Sequence, residues 1–127
     1  MLIRIHGGGW VSGDKGYGNM NNVNRHFASL GYLVFDLQYG LAESGTFRPR
    51  APTPEGMLGP FGIEDMLRHI GAFSLLPCRK CGGTGADLDR VFVSGASAGG
   101  HLAPGLRPDP DFRAMPVPSR CGIGSPH

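Results

Sequence analysis

Two short glycine-rich motifs supply residue types that could react with a carbonyl group. The segment Gly95–Gly99, GASAG, fits the pattern G-x-S-x-G, which places Ser97 on a sharp strand-to-helix turn where side chains beside it would clash. The segment His6–Trp10, HGGGW, carries consecutive backbone N–H groups that can stabilise an oxyanion. A serine nucleophile combined with oxyanion donors indicates acyl-transfer chemistry.

The first part of the chain is predicted to form a β-α-β unit that positions the HGGGW motif. The apolar segment Leu2–Ile5 before this motif is typical of a strand. A helix is expected next, with Asn21 or Asn22 as its N-cap and Gly31 at its end. Its apolar face, at spacings of four and three, comprises Val23, Phe27 and Leu30. The continuous apolar run Tyr32–Phe35 then predicts a buried parallel strand.

The middle of the chain is predicted to be a long surface excursion followed by an amphipathic helix. Gly40–Gly62 contains four prolines among small and polar residues, which favours irregular structure. Apolar residues then recur at helical spacing over Ile63–Phe73, with acidic residues near the start, as the helix dipole favours. Pro77 is expected to end this helix, and residues 78–89 are turn-like.

The last strand is predicted at Arg90–Ser94, where it leads into the serine turn. The helix that follows Ser97 is expected to run through Leu102, because Pro104 disfavours its continuation. Three strands separated by helices predict a parallel sheet that is covered on both faces. Ligands of such sheets bind beyond the carboxyl ends of the strands, where HGGGW, Asp36 and Ser97 are all expected.

Length and composition limit the possible functions. The chain has 127 residues, of which 40% are hydrophobic, enough for one small domain. A formal charge of +2 does not suggest a nucleic-acid partner. No apolar run approaches the roughly 18 to 20 residues of a membrane span, and Met1 leads directly into a strand-like segment, so we expect neither a membrane span nor an export signal. Three cysteines give no disulfide framework, and a cytoplasmic location is the default expectation.

Taken together, the motifs resemble the esterase and lipase branch of the α/β-hydrolase superfamily, which includes hormone-sensitive-lipase-like and arylacetamide-deacetylase-like carboxylesterases. The matching segments are His6–Trp10, Asp36–Ala42, which is similar to that branch's D-Y-R-L-A segment, and Gly85–Ala103. The resemblance implies a partial α/β-hydrolase domain over residues 1–103, with about three parallel strands in the order second, first, third. Residues 104–127 are expected to form a disordered, Pro/Gly-rich tail.

The resemblance also implies roles for individual residues. Ser97 would be the nucleophile that forms an acyl-enzyme with a small-molecule carboxylic ester, and no cofactor or metal would be needed. Three backbone N–H groups would form the oxyanion hole, those of Gly8, Gly9 and Ala98. His6 would orient the glycine turn, while Trp10 and Tyr39 are interpreted as core or pocket-wall residues. The supporting motif residues are His6, Gly7, Gly95 and Gly99.

The chain departs from the family at its catalytic triad, which runs Ser, then Asp or Glu, then His. Only thirty residues follow Ser97, and they include no strand-like run. The candidate acids and bases in this stretch are His101, Asp109, Asp111 and His127. We interpret His101 as a packing residue of the helix after Ser97. The alternative function is therefore a truncated, inactive remnant of a hydrolase, resembling its third to fifth strands, which could self-associate through exposed sheet edges.

Other motifs suggest other kinds of site. Cys78 and Cys81 fit the C-x-x-C-x-G-x-G repeat of chaperone-type zinc modules, but a structural zinc needs four ligands and the distant Cys121 could add only one. Incidental cysteines are the favoured interpretation, and a small zinc-binding module is the third alternative. Gly7–Gly9 is not followed by the G-K-[ST] of a phosphate loop, so a phosphate site is not expected there. Asp36 could be read as the ribose-binding acid of a dinucleotide fold, but the sequence contains no G-x-G-x-x-G motif to accompany it.

Overall fold

The structure of the chain is a computed structural model that describes residues 1–44, 52–74, 87 and 90–106. These residues form five strands and three α-helices. The strands are β1 (Leu2–Ile5), β2 (Val34–Leu37), β3 (Leu41–Ala42), β4 (Leu58–Gly59) and β5 (Phe92–Gly95). The helices are α1 (Met20–Ser29), α2 (Ile63–Ser74) and α3 (Ala98–Leu102), and a single 3₁₀ turn, Ala103–Gly105, follows α3.

The main sheet has three parallel strands, with β1 between β2 and β5. This confirms the predicted α/β class and the order second, first, third. The register places Ile5 opposite both Leu37 and Gly95, so the three strands end at the same level. The chain segments that leave these ends therefore emerge side by side, and two of them are the HGGGW turn and the serine turn.

One face of the sheet carries the hydrophobic core. Alternate residues of β1 and β2 point to this face, because side chains in a strand alternate with a period of two. They pack against α2 and α3, and the aromatic ring of Tyr39 joins them. The core residues contributed by the sheet and the two helices are Ile3, Ile5, Leu37, Met66, Ile70 and Leu102. The predicted helix over Ile63–Phe73 is thus confirmed, one residue longer than expected.

The opposite face is covered by α1 through polar contacts. Arg4 Nη2 donates to Met20 Sδ at 2.9 Å, and Asn24 Nδ2 donates to Asp36 Oδ2 at 2.7 Å. No residue of α1 is fully buried. At the outer strand, Phe92 is 53% exposed. Helices therefore lie on both faces of the sheet, as expected, and within the described residues the α1 face is less completely packed than the core face.

The end of α1 explains why β2 begins later than predicted. Gly31 has a φ of +88°, and its N–H bonds to Ala28 O, while the Tyr32 N–H reaches back to Phe27 O at 3.2 Å. This pair of bonds is a Schellman cap. Gly31 therefore ends the helix as predicted, but Tyr32 is still part of the cap, so the strand covers Val34–Leu37 instead of Tyr32–Phe35.

Two helix predictions from the same region are corrected. Asn19, not Asn21 or Asn22, occupies the N-cap position of α1, and its side chain makes no capping bond. Leu30 lies beyond the last helical residue and is 61% exposed, so it does not extend the apolar face of the helix.

The excursion after β2 contains more regular structure than expected. Leu41–Ala42 and Leu58–Gly59 form a short parallel ladder, in which Leu41 is fully buried. Two-residue strands are too short to show a period in the sequence.

The predictions made from two prolines have different outcomes. Pro77 lies outside the described residues, whereas the helix after Ser97 ends at Leu102 as predicted, with Pro104 in the 3₁₀ turn. None of the described helices has the length and apolar character needed to cross a bilayer.

Candidate active site

Ser97 lies on a tight turn between β5 and α3. Its φ is +51°, a left-handed conformation that is unusual for a residue with a side chain. The turn is held by the bond from His101 N–H to Ser97 O, at 3.1 Å, and Ser97 occupies the N-cap position of α3. Its side chain makes no capping bond to the helix and is exposed. The geometry therefore presents the Ser97 hydroxyl to the surface at the carboxyl end of the sheet.

The glycines of the serine motif are required by close backbone contacts. A Cβ atom on Gly95 would collide with the carbonyl of Gly99, and one on Gly99 would collide with the carbonyl of Ile5 at the end of β1. The expected steric reason for both glycines is confirmed. Because Gly99 lets α3 approach β1 directly, the serine turn lies next to the start of the HGGGW turn.

The two motifs, distant in sequence, are in contact in the fold. Ala96 N–H bonds to Ile5 O at 3.2 Å, which joins the serine turn to the end of β1. A Cβ atom built on Gly7 would lie 3.1 Å from Ser97 Cβ and 2.7 Å from Ala96 O. The structure thus brings the first glycine of HGGGW against the serine.

The glycine turn is folded by bonds to its own carbonyl groups. His6 Nδ1 lies 2.7 Å from Gly7 O and must donate to it, because a carbonyl oxygen only accepts. The Gly8 carbonyl accepts from Val11 N–H at 3.3 Å, and from Ser12 N–H and Ser12 Oγ at 3.1 and 2.8 Å. Within the described part of the chain, the N–H groups of Gly8, Gly9 and Ala98 are among those that donate no hydrogen bond.

Tyr39 supports the same turn from the core. Its ring stacks on the His6 imidazole with a centroid distance of 4.5 Å and an interplanar angle of 13°. Its hydroxyl donates to His6 O at 2.9 Å, and the side chain is only 1% exposed. Burial raises the pKa of Tyr39 from 10.0 to about 12, so the phenol remains a hydrogen-bond donor at neutral pH. Tyr39 is thus a core residue, as expected, that also binds the motif.

Trp10 links the glycine turn to α3. Its backbone has a φ of +64°, and its carbonyl accepts from Ala42 N–H at 2.8 Å. Its ring meets His101 edge-on, with a centroid distance of 5.5 Å. His101 is otherwise exposed, so this edge contact is the extent of its packing that the structure shows.

Asp36 does not lie where the sequence analysis placed it. It is inside β2, not beyond its end, because the Schellman cap shifts the strand by two residues. Its carboxylate faces α1 and accepts from Gly16 N–H at 2.9 Å as well as from Asn24. Asp36 therefore anchors the loop after HGGGW to the helix and is separate from the serine turn.

Several residues singled out in the sequence lie outside the described residues. They are Cys78, Cys81, Asp109, Asp111, Cys121 and His127. The zinc interpretation and the roles of these acids and of His127 therefore remain predictions. Among the residues that are described, no group of three or more His, Cys, Asp or Glu side chains is arranged to hold a metal ion.

Two residues that support the HGGGW turn, Ser12 and Tyr39, were not predicted from the sequence to contact it. Ser12 was not singled out at all, and Tyr39 was expected only to fill space. Ser12 lies two residues beyond HGGGW, and a small polar side chain in a glycine-rich loop carries no signal of burial. Its hydrogen bond to the Gly8 carbonyl depends on the conformation of the turn, which the sequence pattern does not reveal.

Comparisons with known proteins show the family of the chain. A family model described as alpha/beta hydrolase fold matches residues 2–107. Arylacetamide deacetylase of Mus musculus is 33% identical over 117 residues, which cover 88% of this chain and 26% of that protein. A probable isoprenylcysteine alpha-carbonyl methylesterase of Oryza sativa subsp. japonica is 29% identical over 99 residues, 78% of this chain and 19% of that protein.

A third relative comes from a bacterium. The probable carboxylic ester hydrolase LipM of Mycobacterium tuberculosis is 27% identical over 104 residues, which cover 81% of this chain and 20% of that protein. The chain thus spans about a quarter or less of the length of these relatives. No solved structure matches the chain significantly.

Proposed function

The chain belongs to the alpha/beta hydrolase family, and from this premise we propose that it is a serine hydrolase of carboxylic esters that acts through an acyl-enzyme on Ser97. The observation that carries the proposal is the contact between the two motifs. Ser97 has a left-handed backbone and an exposed side chain, and it lies against Gly7 of the HGGGW turn. A nucleophile next to unbonded backbone N–H groups is the arrangement that acyl transfer requires.

The proposed reaction has two steps. The Ser97 oxygen attacks the ester carbonyl carbon, and the negative charge that develops on the carbonyl oxygen is stabilised by the N–H groups of Gly8, Gly9 and Ala98. The C–O bond to the alcohol then breaks, the alcohol leaves with a proton, and Ser97 carries the acyl group. Water attacks the same carbon in the second step, which releases the acid and returns the proton to Ser97.

A small-molecule carboxylic ester is the proposed substrate class. Support comes from the relatives, since two of the three are named as a methylesterase and a carboxylic ester hydrolase. The open position of the Ser97 side chain at the carboxyl end of the sheet is where ligands of α/β proteins bind.

A fluorophosphonate probe tests the proposal directly. The Ser97 oxygen would displace fluoride from phosphorus, leaving a stable phosphonyl-serine that mass spectrometry can locate. We expect labelling of the wild type and none of Ser97→Ala, whereas Ser29→Ala should label like the wild type. Ser29 is a matched control because it is exposed and lies on α1, away from the motifs. A folded wild-type protein without Ser97-dependent labelling would contradict the proposed function.

The second candidate function is a non-catalytic hydrolase remnant that associates with itself. It is favoured by the outer strand, where Val91, Phe92 and Val93 are exposed in the described part of the chain. Unpaired strand edges with apolar side chains promote association. Folded protein that forms oligomers and shows no Ser97-dependent labelling would support this candidate over the first.

A further inference from the structure

We propose that Ser12 is a positioning residue of the oxyanion hole, whose hydroxyl fixes the Gly8 carbonyl and thereby aims the Gly9 N–H group at the substrate. This inference rests on the proposed function. It assigns to Ser12 a role in orienting a backbone donor, without contact with the substrate.

The hydroxyl of Ser12 makes the shortest of three hydrogen bonds to the Gly8 carbonyl. Its Oγ–O distance is 2.8 Å, against 3.1 and 3.3 Å for the two backbone N–H donors. Ser12 is 1% exposed, so water does not compete for this bond. A buried hydroxyl therefore holds one particular peptide of the turn.

That peptide contains one of the proposed oxyanion donors. The Gly8 carbonyl and the Gly9 N–H group belong to the same planar trans peptide, in which C=O and N–H point in opposite directions. Holding the Gly8 oxygen toward Ser12 therefore points the Gly9 hydrogen away from Ser12. The neighbouring peptide is held in a similar way, because His6 Nδ1 binds the Gly7 carbonyl and so orients the Gly8 N–H group.

The glycines give such an anchor more effect, beyond that of the two backbone bonds to the same carbonyl. Gly8 and Gly9 have φ angles of +128° and +62°, and a peptide between two glycines rotates easily because no Cβ restricts it. A donor that can rotate loses much of its value, since oxyanion stabilisation depends on groups already oriented before the charge develops. The Ser12 hydroxyl adds a restriction that Gly8 and Gly9, which have no Cβ atoms, cannot supply themselves.

The hydroxyl is not needed to satisfy the carbonyl. Without it, Gly8 O would still accept from Val11 N–H and Ser12 N–H, so Ser12→Ala leaves no buried acceptor unpaired. We therefore expect the variant to fold with little change in its thermal midpoint. Its effect should appear in the reaction at Ser97, which separates a positioning role from a merely structural one.

The experiment compares labelling by a fluorophosphonate probe over a range of probe concentrations. In Ser12→Ala the maximal labelling rate at Ser97 should fall about 3- to 10-fold, the equivalent of one hydrogen bond, with the half-saturating concentration unchanged. Ser29→Ala is the matched control, because Ser29 Oγ also donates to a backbone carbonyl, that of His26, at 2.7 Å. It should label at the wild-type rate.

A second probe with sulfur in place of the phosphoryl oxygen tests whether the loss acts through an oxyanion donor. Sulfur is a weaker hydrogen-bond acceptor, so wild type and Ser12→Ala should differ less with this probe. Ser12→Cys, which replaces the hydroxyl by a larger and weakly donating thiol, should lie between the two with the oxygen probe. If Ser12→Ala fails to fold, Ser12→Cys takes its place in the comparison with the wild type.

The outcomes separate the two proposals. Equal labelling rates for wild type and Ser12→Ala would overturn the role of Ser12 while leaving the proposed function intact. A rate loss of the same size with both probes would also overturn it, because the effect would not depend on the oxyanion. A wild type that is not labelled at Ser97 would overturn the proposed function first, and this inference with it.

Discussion

The side chain of Tyr39 holds the end of β1 at two points, since its ring stacks on His6 and its hydroxyl binds the His6 carbonyl. The imidazole in turn binds the Gly7 carbonyl. Tyr39, a side chain of the core, is thus linked to the glycine turn through one residue, His6. At the scale of the residue, the site is a set of backbone groups that buried side chains keep in place.

Replacing Tyr39 by phenylalanine should destabilise the fold in a pH-dependent manner. The change keeps the stacked ring but leaves the buried His6 carbonyl without its donor, which should cost about 1 to 3 kcal/mol of unfolding free energy at pH 8. Burial raises the pKa of the folded phenol to about 12, whereas the unfolded phenol ionises near 10.0. The advantage of the wild type is therefore complete below pH 10 and is lost as the pH rises toward 12.

Urea unfolding of wild type and Tyr39→Phe at pH 8, 10 and 11.5 checks this prediction. The difference in unfolding free energy between the two proteins should shrink at the highest pH, while titrations that both share cancel. Tyr17→Phe removes an exposed phenol and is the matched control. A difference that stays constant across this range would contradict the assignment of the buried phenol as a neutral donor.

At the scale of the element, α3 and β1 meet without side chains between them. Gly99 lies directly against the carbonyl of Ile5, so the helix that follows Ser97 is fixed to the central strand by backbone contact. The neighbouring Gly100 has more space, since a Cβ there would lie 3.1 Å from Gly95 O. Adjacent glycines of one short helix thus have different structural requirements.

Alanine substitutions in α3 should reveal this difference. Gly99→Ala forces α3 away from β1 and should lower the unfolding free energy by about 1 to 3 kcal/mol, the usual cost of overpacking. Gly100→Ala is the control and should change it by less than about 1 kcal/mol, because the small crowding is offset by better helix propensity. Chemical denaturation of both variants measures the effect. Equal losses would show that α3 tolerates a side chain against β1.

The sequence predicted most of these elements because their patterns are long or punctuated by glycine. The strand Leu2–Ile5, the helix from Ile63 and the termination of α1 at Gly31 all follow from local signals. The position of β2 did not, since the Schellman cap that delays it depends on bonds that a hydropathy pattern does not contain. The ladder between β3 and β4 joins two-residue segments whose pairing is a tertiary event.

The candidate site likewise contains residues that the sequence predicted and residues that it did not. Its motif residues could be recognised because glycine is required wherever a Cβ would meet backbone, as at Gly95 and Gly99. The supporting residues Ser12 and Tyr39 could not, because each acts through a contact with a residue that lies beside it only after folding. Asp36 was misplaced for the same reason as β2.

At the scale of the whole molecule, the sheet is asymmetric. The core face is filled by α2 and α3, whereas the outer strand β5 carries apolar side chains with substantial exposure in the described part of the chain. β5 pairs with β1 on one side only among the described strands. This asymmetry makes β5 the expected surface for contact with a second copy of the chain.

A lysine at Phe92 should therefore weaken self-association. Phe92→Lys places a charge on the exposed strand, and charged edge residues oppose pairing between sheets. Sedimentation velocity over a range of concentrations should show a shift toward monomer. Leu30→Lys is the matched control, because Leu30 is also exposed and apolar but lies outside the sheet. Equal sedimentation of both variants and the wild type would rule out association through β5.

The central position of β1 sets the order in which this molecule can assemble. Leu2 pairs with Phe92, which is far away in the sequence, so β1 is bonded on both edges only after β5 has docked against it. Contacts of such long sequence separation slow folding. The junction of Gly7 with Ser97 depends on the same docking, so a form of the chain in which β5 is detached lacks the arrangement on which the proposed reactivity depends.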